Sequence, residues 1–406
     1  MNKIITLVDQ GVVSGVNFLM GILLTKLLGL DQYGVFAFLW MLVFFVSSIH
    51  QAFIVSPMYT LNAKQKNQIK YVSQLFSLQI LFSVVTFFCV WLVASILLSY
   101  YPEYNFTYAS IAIALTAAVY VLHDFMRRLF FSFKAKTKAL TVDIIGYGLQ
   151  PFIIFAFYWF QELTLLTVLV SIISSLTTGI IVSFLISPFP KLTFQMGETV
   201  QAHWRFSVYL IGTSILQWLS GNLFIAMAAG LLGPIAVGVI RMSQNIVGVL
   251  HVLFLALENS IPLKAAELLQ AEGKVKMLQF IGKTIKQSVW PVIALLVAVI
   301  LLSKTIISQL YGAEYIEYQY VLYTFCLLYA FVFVGTFLRF VIRTLEHNKT
   351  IFISYVATSI FSLFLAKIMV QELNIVGVLL GLIISQLITN AIYLVALKSE
   401  IKWIFR

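Results

Sequence analysis

Three basic residues fall inside long apolar runs: Lys26, Arg241 and Lys367. A cation at the centre of a hydrocarbon layer costs about 2.5–3.5 kcal/mol on insertion scales, so such residues are candidates for function. Arg241 sits well inside its run, and its planar guanidinium fork suits bidentate binding of phosphate. Snorkelling of the long stem to the interface is the competing account. It weighs more for Lys26 and Lys367, which stand nearer the ends of their runs. Beyond Arg241, the residues Gln244, His251 and Glu258 recur every seven positions. At 3.6 residues per turn all four share one side of a helix, and a polar stripe there implies a hydrated lining. His50 and Gln51 mark a second polar spot in an earlier run.

Two acids, Asp9 and Asp143, lie near the ends of their runs. Either could carry a coupling proton or sodium ion; Asp143 could equally serve as a helix-start residue favoured by the macrodipole. Glu258, beside Asn259, Ser260 and Pro262, reads as interfacial. His123 and Asp124 are adjacent, so on a helix they point in different directions and read as structural. The five histidines show no metal-ligand spacing. No HExxH, nucleophile-elbow or Walker A pattern occurs, which argues against hydrolysis of peptides, esters or nucleotides. The cysteines, Cys89 and Cys326, both fall in apolar runs, so neither a disulfide nor a metal site is expected. No cofactor is implied.

The elements that must hold these residues are membrane helices. The chain is 61% hydrophobic and 10% charged, against about 25% charged for a soluble domain. Twelve runs are long enough for the roughly 20 apolar residues of a span: 5–29, 34–58, 72–99, 107–131, 141–160, 164–187, 207–230, 235–259, 284–310, 319–341, 351–370 and 375–397. The runs are too long and too uniform for barrel strands. The first run passes twenty residues and holds Asn17 and Lys26, which reads as a retained helix rather than a cleaved signal. The fold class is therefore all-α and integral to a membrane.

Charge assigns the sides. With the N-terminus cytoplasmic, alternate loops gather 22 of the 26 basic residues. Among them are Arg127, Arg128, Lys134, Lys136 and Lys138 in one loop and Lys274, Lys276, Lys283 and Lys286 in another. The opposite loops hold Lys304 against Asp31, Glu103, Glu162, Glu314, Glu317 and Glu372. This is a strong positive-inside bias, and it puts both termini in the cytoplasm. The net charge of +11 thus reads as topology, with contact to anionic lipid head groups second. Nucleic acid is not an expected partner.

The sequence also repeats. "LLGLDQYGV" from Leu27 matches "LLGPIAVGV" from Leu231 at five of nine positions, and "FMRRLFFSF" from Phe125 is echoed by "FLRFVIRTL" from Phe337. The copies fall between spans one and two, between seven and eight, and at the ends of spans four and ten. That pattern predicts two six-helix lobes in parallel orientation, 1–200 and 201–406, facing a central cleft that opens alternately to each side. Gly29 and Gly34, with Gly233 and Gly238, are expected to end one helix and open the next.

"LLTKLLGLDQYGVFAF" resembles the first-to-second-helix signature of the polysaccharide transporter family, in the multidrug/oligosaccharidyl-lipid/polysaccharide exporter superfamily. The matching positions are Lys26, Leu27, Leu28, Gly29, Tyr33, Gly34 and Phe36. "GLLGPIAVGVIRMSQNI" looks like the corresponding phrase of the second lobe. The resemblance implies a flippase of the bacterial inner membrane, not an enzyme. Its substrate would be an oligosaccharide on undecaprenyl diphosphate, an O-antigen or exopolysaccharide unit, carried from the cytoplasmic to the external leaflet. A polymerase would receive the product. Arg241, Lys26, Lys367, Gln244, His251 and His50 are the residues assigned here to the diphosphate and sugar cleft, and Asp9 and Asp143 to ion coupling. Open alternatives are an ion-coupled drug or metabolite exporter of the same superfamily, a membrane glycan-processing enzyme and a membrane scaffold. The short external loops and the missing reactive cluster count against the enzyme.

Overall fold

The computed structural model describes residues 2–62, 67–100, 108–187, 191–400 and 403, with backbone alone at 2–4, 6, 7, 251, 252, 255, 256, 259 and 260. Among the described residues there are helices and no strand. In order they are α1 (Asn2–His50), a π-helical stretch (Gln51–Val55), α2 (Ser56–Asn62), α3 (Gln68–Leu98), α4 (Ala109–Ser132), α5 (Lys136–Trp159), α6 (Leu165–Leu185) and α7 (Gly197–Leu232). Then follow α8 (Pro234–Val247), α9 (Val249–Ala271), α10 (Lys274–Leu310), a 3-10 turn (Ala313–Tyr318), α11 (Gln319–Thr344) and α12 (Asn348–Ala396).

Nine of the described helical segments are long and apolar enough to cross a membrane. Two of these cannot be single spans. α1 and α12 each hold 49 residues, about 74 Å at 1.5 Å per residue, against a hydrocarbon core of about 30 Å. Each bends at one non-helical residue, Gly29 (φ 78°, ψ 165°) in α1 and Asn374 (φ 53°, ψ −136°) in α12. Counting each as two spans, and α8 with α9 as one, gives twelve. The protein is a multi-pass membrane protein.

The repeated phrase has one structural meaning in both copies. Gly233, the counterpart of Gly29, has φ 87° and ψ 180°. A side chain in that region meets its own backbone, so both turns require glycine. Gly34 and Gly238 behave otherwise than expected. Each lies buried inside the following helix and opens nothing. Two helices also begin about ten residues before their apolar runs, α7 at Gly197 and α10 at Lys274. Hydropathy marks only the part that must sit in lipid, while the Glu, Gln, Ala and Lys of these first turns favour helix wherever they lie.

The chain divides into two compact units, Met1–Ile215 and Leu216–Arg406, with the division inside α7. In the first, α3 packs on α4, α5 on α6, α1 on α5 and α4 on α6. Its core gathers Ile54, Met58, Leu75, Phe76 and Phe125, all nearly inaccessible. In the second, α11 packs on α12, α10 and α8, around Phe325, Phe337 and Phe340. Lipid tails are as apolar as these side chains, so close packing and polar contacts hold such helices together rather than water exclusion.

Candidate functional site

Pro57 begins the site from a distance. Proline has no N–H and its ring clashes with the carbonyl four residues back, here Phe53. The helix widens into the π-stretch Gln51–Val55, and the Ser56 hydroxyl donates to the Gln51 carbonyl at 2.8 Å. The Phe53 carbonyl, left without its helical donor, accepts from His203 Nδ1 at 2.9 Å. That donation makes His203 Nε2 the acceptor for the Tyr71 hydroxyl, also at 2.9 Å. π-bulges recur at functional sites because they re-aim side chains. Here the bulge turns His50 and Gln51, neighbours in sequence, toward one polar region.

That region is a buried ionic network inside the first unit. Arg127, near the end of α4, is its hub. Its guanidinium donates from Nε to Asp143 Oδ2 at 2.6 Å, from Nη2 to Asp9 Oδ2 at 3.0 Å and from Nη1 to Asp124 Oδ1 at 3.4 Å. Arg128 Nε adds a second contact to Asp124 Oδ1 at 3.2 Å, and Gln51 Nε2 donates to Asp124 Oδ2 at 2.7 Å. His50 Nδ1 stands 3.6 Å from the same oxygen. On its far side His50 Nε2 meets Gln79 Oε1 at 2.8 Å, and Gln79 donates on to Ser83 at 3.1 Å. Asp9, Asp124 and Asp143 are 1%, 5% and 0% exposed, and Arg127 is 9% exposed. Burying an ionised group is costly unless it is paired and hydrogen-bonded, and the network meets that need only in part.

The shortfall is specific. Three carboxylates face two guanidinium groups, so with these five ionised and His50 neutral the cluster carries one surplus negative charge. The Nε–Nη2 edge of an arginine ordinarily holds both oxygens of one carboxylate. Here Asp143 and Asp9 share that edge, one oxygen each, which sets two like charges side by side. Their other oxygens, Asp9 Oδ1 and Asp143 Oδ1, are buried with no hydrogen-bond partner, as is His50 Nδ1. One proton or one monovalent cation between the Asp9 and Asp143 carboxylates would cancel the surplus and satisfy their two free oxygens.

Beside the network His123 works as a wedge. Its ring is fully buried and rests where a Cβ on Gly146 or Gly179 would meet Nε2 at 2.3 or 2.7 Å. α4, α5 and α6 therefore close only because both positions are glycine.

The sequence-derived candidates divide between the units. Asp9, Asp143 and His50 meet in the network. His50 was assigned to the sugar cleft, yet it is wholly buried against Gln79 and Asp124. Lys26 is exposed on the first unit. In the second unit Arg241 is half-buried, donating from Nη1 to Gln244 Oε1 at 2.8 Å and from Nη2 toward Asn222 Oδ1 at 3.5 Å. Lys367 is exposed. The side chain of His251 lies outside the described residues. The stripe does not run down one straight helix: α8 gives way to α9 at Gly248, whose N–H is shared by the Gln244 and Asn245 carbonyls. Glu258 pairs with Arg343 at 2.9 Å.

Arg127 and Asp124 were missed as site residues. Arg127 counted as a loop cation, but α4 runs on to Ser132 and carries it inside the bundle. The signal was present in "HDFMRR", where the Asp124–Arg127 and Asp124–Arg128 spacings pair along a helix.

The sequence pattern of the polysaccharide biosynthesis protein family matches residues 23–320, and the chain belongs to that family. No curated protein matches it. Among solved structures the chain resembles a multidrug resistance MATE family transporter of the MOP superfamily in its inward-facing conformation. The TM-score is 0.71 at 12% identity, over 99% of this chain and 96% of that one. The lipid II flippase MurJ, in an inward closed conformation, gives a TM-score of 0.72 at 14% identity, over 98% and 87%. A MOP superfamily transporter from Pyrococcus furiosus gives 0.60 at 11%, over 99% and 95%. At identity this low the likeness shows the fold alone, the two-repeat helical fold that these structures share.

Proposed function

We propose that this member of the polysaccharide biosynthesis protein family is a flippase. It carries an oligosaccharide linked to undecaprenyl diphosphate, an O-antigen or exopolysaccharide unit, from the cytoplasmic to the external leaflet of a bacterial inner membrane. The observation that carries this reading is the family match on a fold shared with a lipid II flippase. A sugar diphosphate cannot enter hydrocarbon unaided, whereas its prenyl tail can stay there. The protein then needs a cationic, hydrated path for the head group, open to one leaflet at a time. Both termini face the cytoplasm in this reading, access to the path alternates between the two leaflets, and a polymerase takes the product.

Arg241 is the residue assigned to the diphosphate, its fork oriented by the amide oxygens of Gln244 and Asn222, with Lys26 and Lys367 as further cations and His251 a further candidate from the sequence alone. Asp9 and Asp143 supply coupling. One proton on the pair leaves Arg127 a single ionised partner on its shared edge, so the joint between α1, α4 and α5 changes strength with protonation. A ligand moves a conformational equilibrium only by binding its states unequally, and a surplus charge that one proton cancels provides that inequality.

The second reading, an ion-coupled drug or metabolite exporter, gains from the same carboxylate pair. Deletion of the gene in its host separates the two. Loss of surface glycan with accumulation of the lipid-linked repeat unit, rescued by wild type and not by Arg241→Ala at matched expression, supports the flippase and its cationic site. Normal glycan with new sensitivity to toxic compounds overturns it in favour of the exporter. Full rescue by Arg241→Ala keeps the function and removes the site.

A further inference from the structure

A cavity of about 590 Å³ opens in the first unit among the start of α3, the end of α4, the start of α5 and the end of α6. These four termini lie at one end of an antiparallel bundle, the end to which the loop cations belong. Its volume falls within the roughly 300–1,000 Å³ of small-molecule sites. The floor is apolar and buried: Met126, Leu129 and Phe130 are 3%, 7% and 5% exposed, with Phe184 beside them. The rim holds Lys138, half-buried, and Lys191, exposed. Among the described residues no acid lines the cavity. α5 begins here without a side-chain cap, and Ala135, which precedes it, is part of the wall. The helix dipoles offset one another, two positive ends (α3, α5) against two negative ones (α4, α6), so the sign of the rim is set by the two lysines.

We propose that this cavity binds an anionic phospholipid, its phosphate between Lys138 and Lys191 and one acyl chain over Phe130 and Met126. The arrangement selects an amphiphile of that sign. A water-soluble anion has no use for the apolar floor, and a neutral lipid has none for the cationic rim. The order of the parts, cations outward and apolar wall inward, is that of a lipid standing in its own leaflet. The site lies wholly within the first unit and is independent of the flippase reading. Each lysine near an anionic head group is worth about a factor of five in binding, so the pair gives about 25-fold.

The test uses the purified full chain in neutral detergent, with bound lipid counted by native mass spectrometry. The probes are phosphatidylglycerol, phosphatidylcholine of the same acyl chains, glycerol phosphate and a polyprenyl phosphate. Wild type is expected to prefer phosphatidylglycerol over phosphatidylcholine by about 25-fold, from the two rim cations. Lys138→Gln with Lys191→Gln should abolish that preference, and Lys138→Arg with Lys191→Arg should keep it, which separates lost charge from lost fold. Val72→Trp, which fills the cavity from α3, should weaken both phospholipids. Equal binding of the two phospholipids by wild type, or a preference that survives the double glutamine variant, overturns the proposal. So does glycerol phosphate binding as tightly as phosphatidylglycerol, which would mark a free-anion site. Displacement of phosphatidylglycerol by substoichiometric polyprenyl phosphate also overturns it, because the cavity would then receive substrate rather than a membrane lipid.

Discussion

Removing the hub guanidinium by Arg127→Gln tests whether the buried network is as tightly paired as its distances indicate. The three carboxylates do not depend on Arg127 equally. Asp124 keeps Arg128 at 3.2 Å and Gln51 at 2.7 Å, so it stays partnered. Asp143 and Asp9 lose the donors that hold them at 2.6 and 3.0 Å, and both are essentially inaccessible to water. Breaking a buried ion pair from one side costs about 3–5 kcal/mol, since the charge left behind has no solvent. The surplus negative charge of the cluster meanwhile rises from one to two. Adding Asp143→Asn returns the surplus to one and should recover more than half of the loss. The assay is thermal and denaturant unfolding of the purified protein in one detergent for wild type, both single variants and the double. A loss below about 1 kcal/mol for Arg127→Gln is what a solvated surface pair gives and would refute the reasoning. Simple additivity of the two substitutions would refute the shared-edge geometry, because residues in one network are expected to couple by about 0.5–3 kcal/mol.

Four further outcomes are expected. Gly29→Ala and Gly233→Ala should each destabilise by about 1–2 kcal/mol, since both force a side chain into the left-handed region; equal losses in the two halves, read by unfolding, are the signature of one repeated turn. Gly146→Ala should cost about 1–3 kcal/mol through the clash with His123, and pairing it with His123→Ala should return part of that cost. At the C-terminal end Glu400 is buried, which pushes its carboxyl up, yet hydrogen bonds from Lys274 and Ser399 outweigh burial and hold it below the usual carboxylate range. A carboxyl lowered by folding stabilises above its unfolded value and loses that contribution as pH falls through the folded one. Glu400→Gln should therefore cost a discounted ~0.2–1 kcal/mol at pH 7, because Lys274 is half-exposed, and the difference from wild type should vanish in acid. Asp9→Asn or Asp143→Asn should flatten the dependence of transport on the proton gradient; an unchanged dependence in both would remove the pair from coupling.

How far the sequence could be read follows from what each residue must satisfy. The spans were legible because twenty apolar residues in a row have no other use, and the turns at Gly29 and Gly233 because the same phrase recurs where a backbone demands glycine. Asp9 and Asp143 were legible as isolated acids in apolar runs. What joins them was not, because Arg127 sits in a stretch of cations that the positive-inside bias alone accounts for. Charge bias counts residues at a helix end without saying which ones turn inward. The π-stretch was hidden for a related reason: Pro57 announces a disturbed helix, but the Phe53 carbonyl it frees is answered by His203, 150 residues away, and a contact at that separation leaves no local trace. Gly34 and Gly238 erred the other way, being read as turn residues when burial explains them.

The last turns of α4 bring the two sites together on one element. At 100° per residue, Asp124, Arg127 and Arg128 fall on one side of the helix, and Met126, Leu129, Phe130 and Phe133 on the other. The first group holds the ionic network and the second lines the lipid cavity. A rigid helix cannot move against one without moving against the other, so occupancy of the cavity and protonation of the carboxylate pair must be linked unless α4 stays still. Linkage is reciprocal: if lipid changes proton affinity by some factor, protons change lipid affinity by the same factor. Phosphatidylglycerol binding by wild type should then vary with pH across the range where transport does, and in Asp9→Asn with Asp143→Asn it should lose that variation while keeping its preference for an anionic head group. Val72→Trp, which touches no charge, should shift the pH dependence of transport without abolishing transport. If binding and pH response prove independent in this cycle, α4 is a fixed post between two separate sites, and coupling must run through α1 and α5 alone.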